Sequence, residues 1–372
     1  MGSTVDFPRG DVLVEERRQA ACVTHTEYQF GCRTTTQPEE WLRPESAEQR
    51  PRLAILILLA ALAGCRRDVP VDVGARAGFL TSRDGAQIHY QVAGSGPDTV
   101  VVVHGGPGAG ANTVRPDLEP LTRHHVVIFY DQRGGGRSEL PADTTRLSAQ
   151  AFVEDLEAIR EHFHLDRMNL VAHSFGAVVT GQYATAHPDR VARIVLLAAT
   201  GPNRAEAARF YQRPSSGLDS ATAFRQFMAL RSLMEGTASD PTAACRTVED
   251  LGKLGARNRG EFAGWRGSSC DMPVEALRYY WQHTARVGPE AFGDWNFAES
   301  LSDLVAPLLV VSGGTDTLAL AMDRAWATAV PNGRLLTLPT TSRAAHAELP
   351  RVFRALDEFF AGGWPTEAVR PD

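Results

Sequence analysis

The sequence predicts an α/β protein: a mostly parallel central sheet flanked by helices, with an inserted helical cap. Three observations predict it. Continuous β-branched runs such as DTVVVVHG are of the kind expected in strands buried on both faces. From about residue 77 these runs alternate with amphipathic helical blocks, the rhythm of a parallel sheet covered by helices. That alternation stops through residues 203–300 and then resumes, so one core is interrupted by an insertion.

The elements follow in order. FLTSRDGAQIHYQVAG carries an Asp84-Gly85 turn between two short β-like runs and reads as a hairpin. DTVVVVHG and HHVVIFYDQ are the next strands. In SAQAFVEDLEAIREHFH the spacing of Phe152, Leu156, Ile159 and Phe163 predicts an amphipathic helix. Strand MNLVAHS, helix GAVVTGQYATAHP and strand VARIVLLAA close the first part of the core, residues 77–202. The cap spans 203–300, with helix-like blocks and aromatics in RYYW and DWNF. Strand APLLVVSGG, helix AMDRAWATAV, strand GRLLTLP and helix ELPRVFRALDEFF complete the core over 301–364.

The 372 residues carry a net charge of −6, with 43% hydrophobic and 22% charged residues. That composition excludes disordered, collagen-like and coiled-coil classes, and the absence of a basic field argues against nucleic-acid binding. Residues 1–52 lack a sustained apolar period and read as a disordered extension or as the product of a misassigned translation start. LAILILLAALAGC at 53–65 is different. Its apolar run, Leu53–Gly64, would make a helix of about 18 Å, too short for a bilayer core of about 30 Å. Arg50 and Arg52 precede it and small residues end it, the anatomy of a secretory signal. Leu62-Ala63-Gly64-Cys65 resembles the lipobox of bacterial lipoproteins, which implies acylation of Cys65, a 66–76 linker and a lipid-anchored or secreted protein of the cell envelope. Of the five cysteines, Cys22 and Cys32 would leave with the leader. Cys245 and Cys270 then remain, either as a disulfide or as two separate thiols. No Cys/His spacing points to zinc, and no cofactor is implied.

The chemistry-bearing signal is Ala172-His173-Ser174-Phe175-Gly176 between a strand and a helix. A serine on such a turn is held strained with its hydroxyl exposed, and the residues two positions either side must be small. Serine needs a histidine base and a carboxylate to orient it, here in the order Ser, Asp, His. Asp316 follows the strand LLVVSGG, and His346 is the only histidine beyond it. Asp316 also reads as a helix N-cap, and Asp323 is a competing carboxylate placed within a helix. An acyl-transfer site further needs oxyanion donors. The amides of Phe175 and of Gly106, in His104-Gly105-Gly106-Pro107-Gly108, are the candidates, with His104 a structural residue of that loop.

HGGPG at 104–108, DQRGGGRS at 131–138 and the Ser174/Asp316/His346 order resemble the proline iminopeptidase family of α/β-hydrolases over roughly residues 77–362. The resemblance implies the α/β-hydrolase fold with a helical cap, a serine mechanism and release of an N-terminal proline from a small or short-peptide substrate. Asp131 and Arg133 would then support the loop structurally. It also implies cap glutamates that grip the substrate ammonium. Glu235-Gly236 is the match, without the family's flanking tryptophans, and Glu261 and Glu275 are possible second carboxylates. Two other functions stay open: a carboxylesterase or lactonase, to which the Ala-His-Ser-Phe-Gly elbow is closer, and a non-catalytic envelope binding lipoprotein. Dehalogenase and epoxide-hydrolase chemistry needs Asp where this chain has Ser174.

Overall fold

The computed structural model describes residues 71–72, 76–212, 217–260, 264–339 and 349–371. The segment 53–65 with Cys65, the base candidate His346 and the carboxylate Glu261 lie outside the described residues.

Eight strands form one sheet: β1 (Arg76–Thr81), β2 (Gln87–Ala93), β3 (Thr99–Val103), β4 (Val126–Tyr130), β5 (Met168–His173), β6 (Val191–Leu197), β7 (Leu308–Gly313) and β8 (Gly333–Leu338). Their order is β8-β7-β6-β5-β3-β4-β2-β1. The β1–β2 hairpin is antiparallel and joins β4 antiparallel, while every pairing from β4 to β8 is parallel. The order turns back on itself around β3, whose neighbours β4 and β5 follow it in the chain. Ligands of open α/β sheets bind beyond the strand ends at such a switch point.

The β-branched runs form central strands because both faces are covered. Along β3, Val101 and Val103 join one apolar cluster while Val100 and Val102 join the other, the period of two that a pleated strand imposes. Helices α1 (Ala149–His162), α2 (Gly176–Ala186) and α9 (Thr317–Ala329) cover the first face, and α10 (Leu349–Phe360) covers the second. In α1, Phe152, Leu156 and Ile159 are buried as their spacing predicts. Phe163 falls just past the helix end and packs its ring on Tyr90 instead.

Between β6 and β7 the described chain is helical: α3 (Arg204–Tyr211), α4 (Ser220–Met234), α5 (Pro241–Asn258), α6 (Val274–Tyr279), α7 (Ala285–Ala291) and α8 (Phe297–Ser300). Its two ends meet at a bridge between Asn203 and Asn296, and Phe297 stacks on Trp326 of α9. A disulfide joins Cys245 of α5 to Cys270, with Cα atoms 5.6 Å apart. Of the two arrangements the sequence leaves open, the structure adopts the pair. Among the described residues no helix is long and apolar enough to cross a membrane.

Candidate active site

Strand β5 ends at His173 and α2 begins at Gly176, so the chain reverses within two residues. Ser174 takes φ +54, a left-handed conformation costing a non-glycine residue about 1–3 kcal/mol. Its surroundings hold it there. The Ser174 amide donates to the Leu197 carbonyl at 3.1 Å, and its own carbonyl accepts the amides of Thr200 at 3.0 Å and Ala177 at 3.1 Å. Close approach explains the small neighbours. A Cβ on Gly176 would lie 2.2 Å from the Val103 carbonyl oxygen, and one on Gly105 would lie 2.9 Å from the Ser174 Cβ. Ser174 itself is half-buried, so its hydroxyl can meet a substrate.

Because β3 and β5 are neighbours, with Val103 opposite Ala172, the HGGPG loop leaves the sheet beside Ser174. Gly106 has φ +126, backbone that only glycine adopts without strain. Among the described residues, neither the Gly106 nor the Phe175 amide donates to another group. Two unspent donors on either side of a strained serine are what an oxyanion requires.

The loop is braced from beneath. His104 is fully buried; its Nδ1 meets the Gly105 carbonyl at 2.7 Å, while Nε2 accepts the Gln132 amide at 3.0 Å. Burial pulls its pKa down despite the nearby Asp131 carboxylate, which fits this neutral tautomer and a structural role. Gln132 also donates to the His104 carbonyl at 2.6 Å and accepts the Gly108 amide at 3.1 Å. Asp131 meets His89 Nδ1 at 3.0 Å and accepts the amides of Ala111 at 2.7 Å and Arg137 at 3.0 Å. Burial pushes the Asp131 carboxyl up, but these hydrogen bonds outweigh it and hold the pKa below the usual carboxylate range. Arg133, with no exposed side-chain surface, forks onto Asp155 at 2.6 and 2.7 Å and reaches Asp84 at 2.7 Å. Asp131 thus ties the chain just past the HGGPG loop to the DQRGGGRS turn, and Arg133 anchors that turn to Asp84 and Asp155.

Asp316 lies three residues past β7, partly buried, and its Oδ1 accepts the Ala319 amide at 3.1 Å. It is therefore the N-cap of α9. A carboxylate has further lone pairs, so capping and orienting a histidine are compatible. The rival Asp323 is buried along α9 and accepts the Ser312 hydroxyl at 2.7 Å.

The insertion supplies the remaining candidates. Glu235 caps the C-terminal end of α4, 49% exposed, with Arg231 Nε on its carboxylate at 2.8 Å. Glu275 is exposed in the first turn of α6. Glu206, which sequence reasoning passed over, is placed differently. It sits in the first turn of α3, shortly after the Thr200 amide that holds Ser174, and its Oε2 is buried with no partner among the described residues. Asn203-x-x-Glu206 reads in sequence as a helix start, and Asn203 Oδ1 does accept the Glu206 amide at 2.9 Å, which masks any other role.

Among the described residues one group has metal-ligand proximity, Cys245, Glu249 and Cys270. Its sulfurs are joined to each other, and the Glu249 oxygens accept Ser268 Oγ at 2.7 Å and the Ser269 amide and hydroxyl at 2.9 and 2.8 Å.

A family model described as the alpha/beta hydrolase fold matches residues 98–348. The chain belongs to the alpha/beta hydrolase family. This alpha/beta hydrolase is 36% identical over 100 residues to a proline iminopeptidase of Heyndrickxia coagulans, a match spanning 27% of this chain and only 34% of that relative's length. It is 25% identical over 290 residues to a proline iminopeptidase of Levilactobacillus brevis, covering 72% of this chain and 91% of the relative. The esterase RhEst1 from Rhodococcus sp. ECU1013 superposes with a TM-score of 0.55 at 20% identity, covering 77% of this chain and 98% of that structure, a likeness of fold.

Proposed function

We propose that this alpha/beta hydrolase is a serine hydrolase working through an acyl-enzyme. The observation that carries the proposal is Ser174 at φ +54, packed against Gly105, with the Phe175 and Gly106 amides uncommitted among the described residues. Ser174 Oγ attacks the substrate carbonyl carbon as His346 takes its proton, and Asp316 orients the imidazole. The Phe175 and Gly106 amides stabilise the oxyanion. His346 then protonates the leaving group, and water cleaves the acyl-enzyme by the same steps in reverse.

The substrate we favour is a short peptide with N-terminal proline or another small residue. The names of the sequence relatives support this, and so does Glu206: a buried carboxylate oxygen with no donor among the described residues suits a substrate ammonium. Glu235 is the weaker anchor, since an amine there would compete with Arg231 in an exposed pair. Esterase or lactonase action is the second reading, supported by Ala172 in place of the elbow's first glycine.

Assaying proline arylamide beside short acyl esters, with free and blocked amines, separates the readings. The peptidase reading predicts hydrolysis of the free-amine arylamide and a KM for it raised about tenfold or more by Glu206→Gln, from loss of a charge-assisted hydrogen bond, with Glu235→Gln near wild type. Ester hydrolysis with the arylamide untouched contradicts it, and no hydrolysis of either would favour a binding lipoprotein. We further propose export and lipid anchoring at Cys65, which the Cys245–Cys270 disulfide supports as a sign of an oxidising compartment. Palmitate labelling abolished by Cys65→Ala is the expected result, and labelling that persists in that variant opposes it.

A further inference from the structure

We infer that Thr284, in the helical insertion, is a positioning residue for the oxyanion loop. The inference rests on the serine-hydrolase reading and adds to it the part of the insertion that sets where the Gly106 amide points.

Helix α6 runs into α7 through a π-helical turn, Tyr280–Thr284. Such turns are uncommon, and their extra residue re-aims the side chains that follow. Here the turn ends on Thr284, which is fully buried. Its hydroxyl donates to the Gly134 carbonyl at 2.7 Å. Its methyl lies against Gly108, where an added Cβ would come within 2.5 Å of Cγ2. A Cβ on Gly134 would likewise meet Thr284 Oγ1 at 2.4 Å. One turn further on, Gly288 lies so close to Pro107 that a Cβ would sit 2.4 Å from the Pro107 Cγ. The two glycine loops also touch directly, since a Cβ on Gly135 would fall 1.7 Å from the Gly108 carbonyl oxygen. Thr284 is thus wedged where the HGGPG and DQRGGG loops meet.

Gly106 stands in the middle of this arrangement. Before it, Gly105 abuts Ser174. After it, Pro107 lies beneath Gly288 and Gly108 beneath Thr284. No hydrogen bond of its own fixes the Gly106 amide among the described residues, so its direction follows from these flanking contacts. A threonine does both parts of the work at once: the methyl fills the space a Cβ on Gly108 would need, and the hydroxyl fixes the Gly134 carbonyl.

Thr284→Val keeps the shape and removes the hydrogen bond, whereas Thr284→Ser keeps the bond. For whichever proline arylamide or acyl ester the wild type cleaves, the valine variant is expected to lose kcat by about 10- to 100-fold, the range for a small misplacement of an oxyanion donor, with KM within about twofold. The serine variant should recover most of kcat. Affinity for a boronic acid, whose tetrahedral Ser174 adduct needs the same donors, should fall with kcat. Melting temperatures of both variants separate these effects from loss of folding. Wild-type kcat in Thr284→Val overturns the proposal, as does a serine variant no better than valine, or a kcat loss with boronate affinity intact. Wild type that neither cleaves nor binds boronate overturns the serine-hydrolase reading itself and the Thr284 proposal with it.

Discussion

The core around Ser174 and the helical insertion are held by different physics. In the core, close approach and buried charge do the holding: Gly176 on the Val103 carbonyl, Gly105 on Ser174, and a buried arginine side chain locked between Asp84 and Asp155. Few residue types survive such contacts, so the positions are constrained one by one. In the insertion, Gly267 and the Ser268 amide meet the backbone of Asn112 and Thr113, but side chains do much of the holding. The Gly136 amide donates to Met272 Sδ at 3.1 Å, Thr284 bonds Gly134, and a single disulfide ties α5 to the segment before α6. The comparison teaches that the core fixes where Ser174 stands, while the insertion packs on the loop that faces it.

The largest expected effect breaks the core side at one atom. Ser174→Ala should lower kcat by about 10^4- to 10^6-fold with the fold unchanged, as removal of a triad nucleophile does, and His346→Ala should match it. Steady-state rates with circular dichroism spectra check this. Next come stability measurements that set the two regions against each other. Arg133→Met leaves the fully buried Asp155 carboxylate without its cation, while Asp84 keeps Arg146, and is expected to cost about 3–5 kcal/mol in denaturant unfolding. Replacing both Cys245 and Cys270 by serine opens a link across a sequence separation of 25 and should cost about 3 kcal/mol, with activity falling less than stability. If the double serine variant proves the less stable of the two, the comparison is wrong.

The smallest effect is a pH dependence from His104. Burial holds its folded pKa below the ordinary value of about 6.5, so the unfolded chain takes up the proton first. Stability from keeping it neutral is complete above about pH 6.5 and is lost as pH falls, at no more than about 1.4 kcal/mol per pH unit. Thermal melts between pH 7.5 and about pH 5 should show this slope in the wild type and a shallower one in His104→Gln.

What could be read from sequence follows the same division. The β-branched runs and the elbow with Ala172 and Gly176 were legible because burial on both faces or close backbone approach leaves few alternatives, whereas Asp131 and Arg133 came only with the family resemblance. The insertion was less legible. Glu235 drew attention through its neighbour Gly236, yet it ends α4 as an exposed partner of Arg231. Glu206 was hidden by its helix-start pattern, because spacing does not say which carboxylate oxygen goes without a donor. Thr284 depends on the extra residue of a π-helical turn, which no apolar period reveals. The Cys245–Cys270 pairing needed the 5.6 Å Cα separation, a spatial fact.

The central claim is that Ser174 is the nucleophile, and labelling tests it most directly. The wild type is treated with a fluorophosphonate, and the intact protein and its peptides are then mapped by mass. The account predicts one adduct per chain on the peptide that contains Ser174, and none in Ser174→Ala. An adduct that forms in Ser174→Ala at the wild-type rate would contradict it.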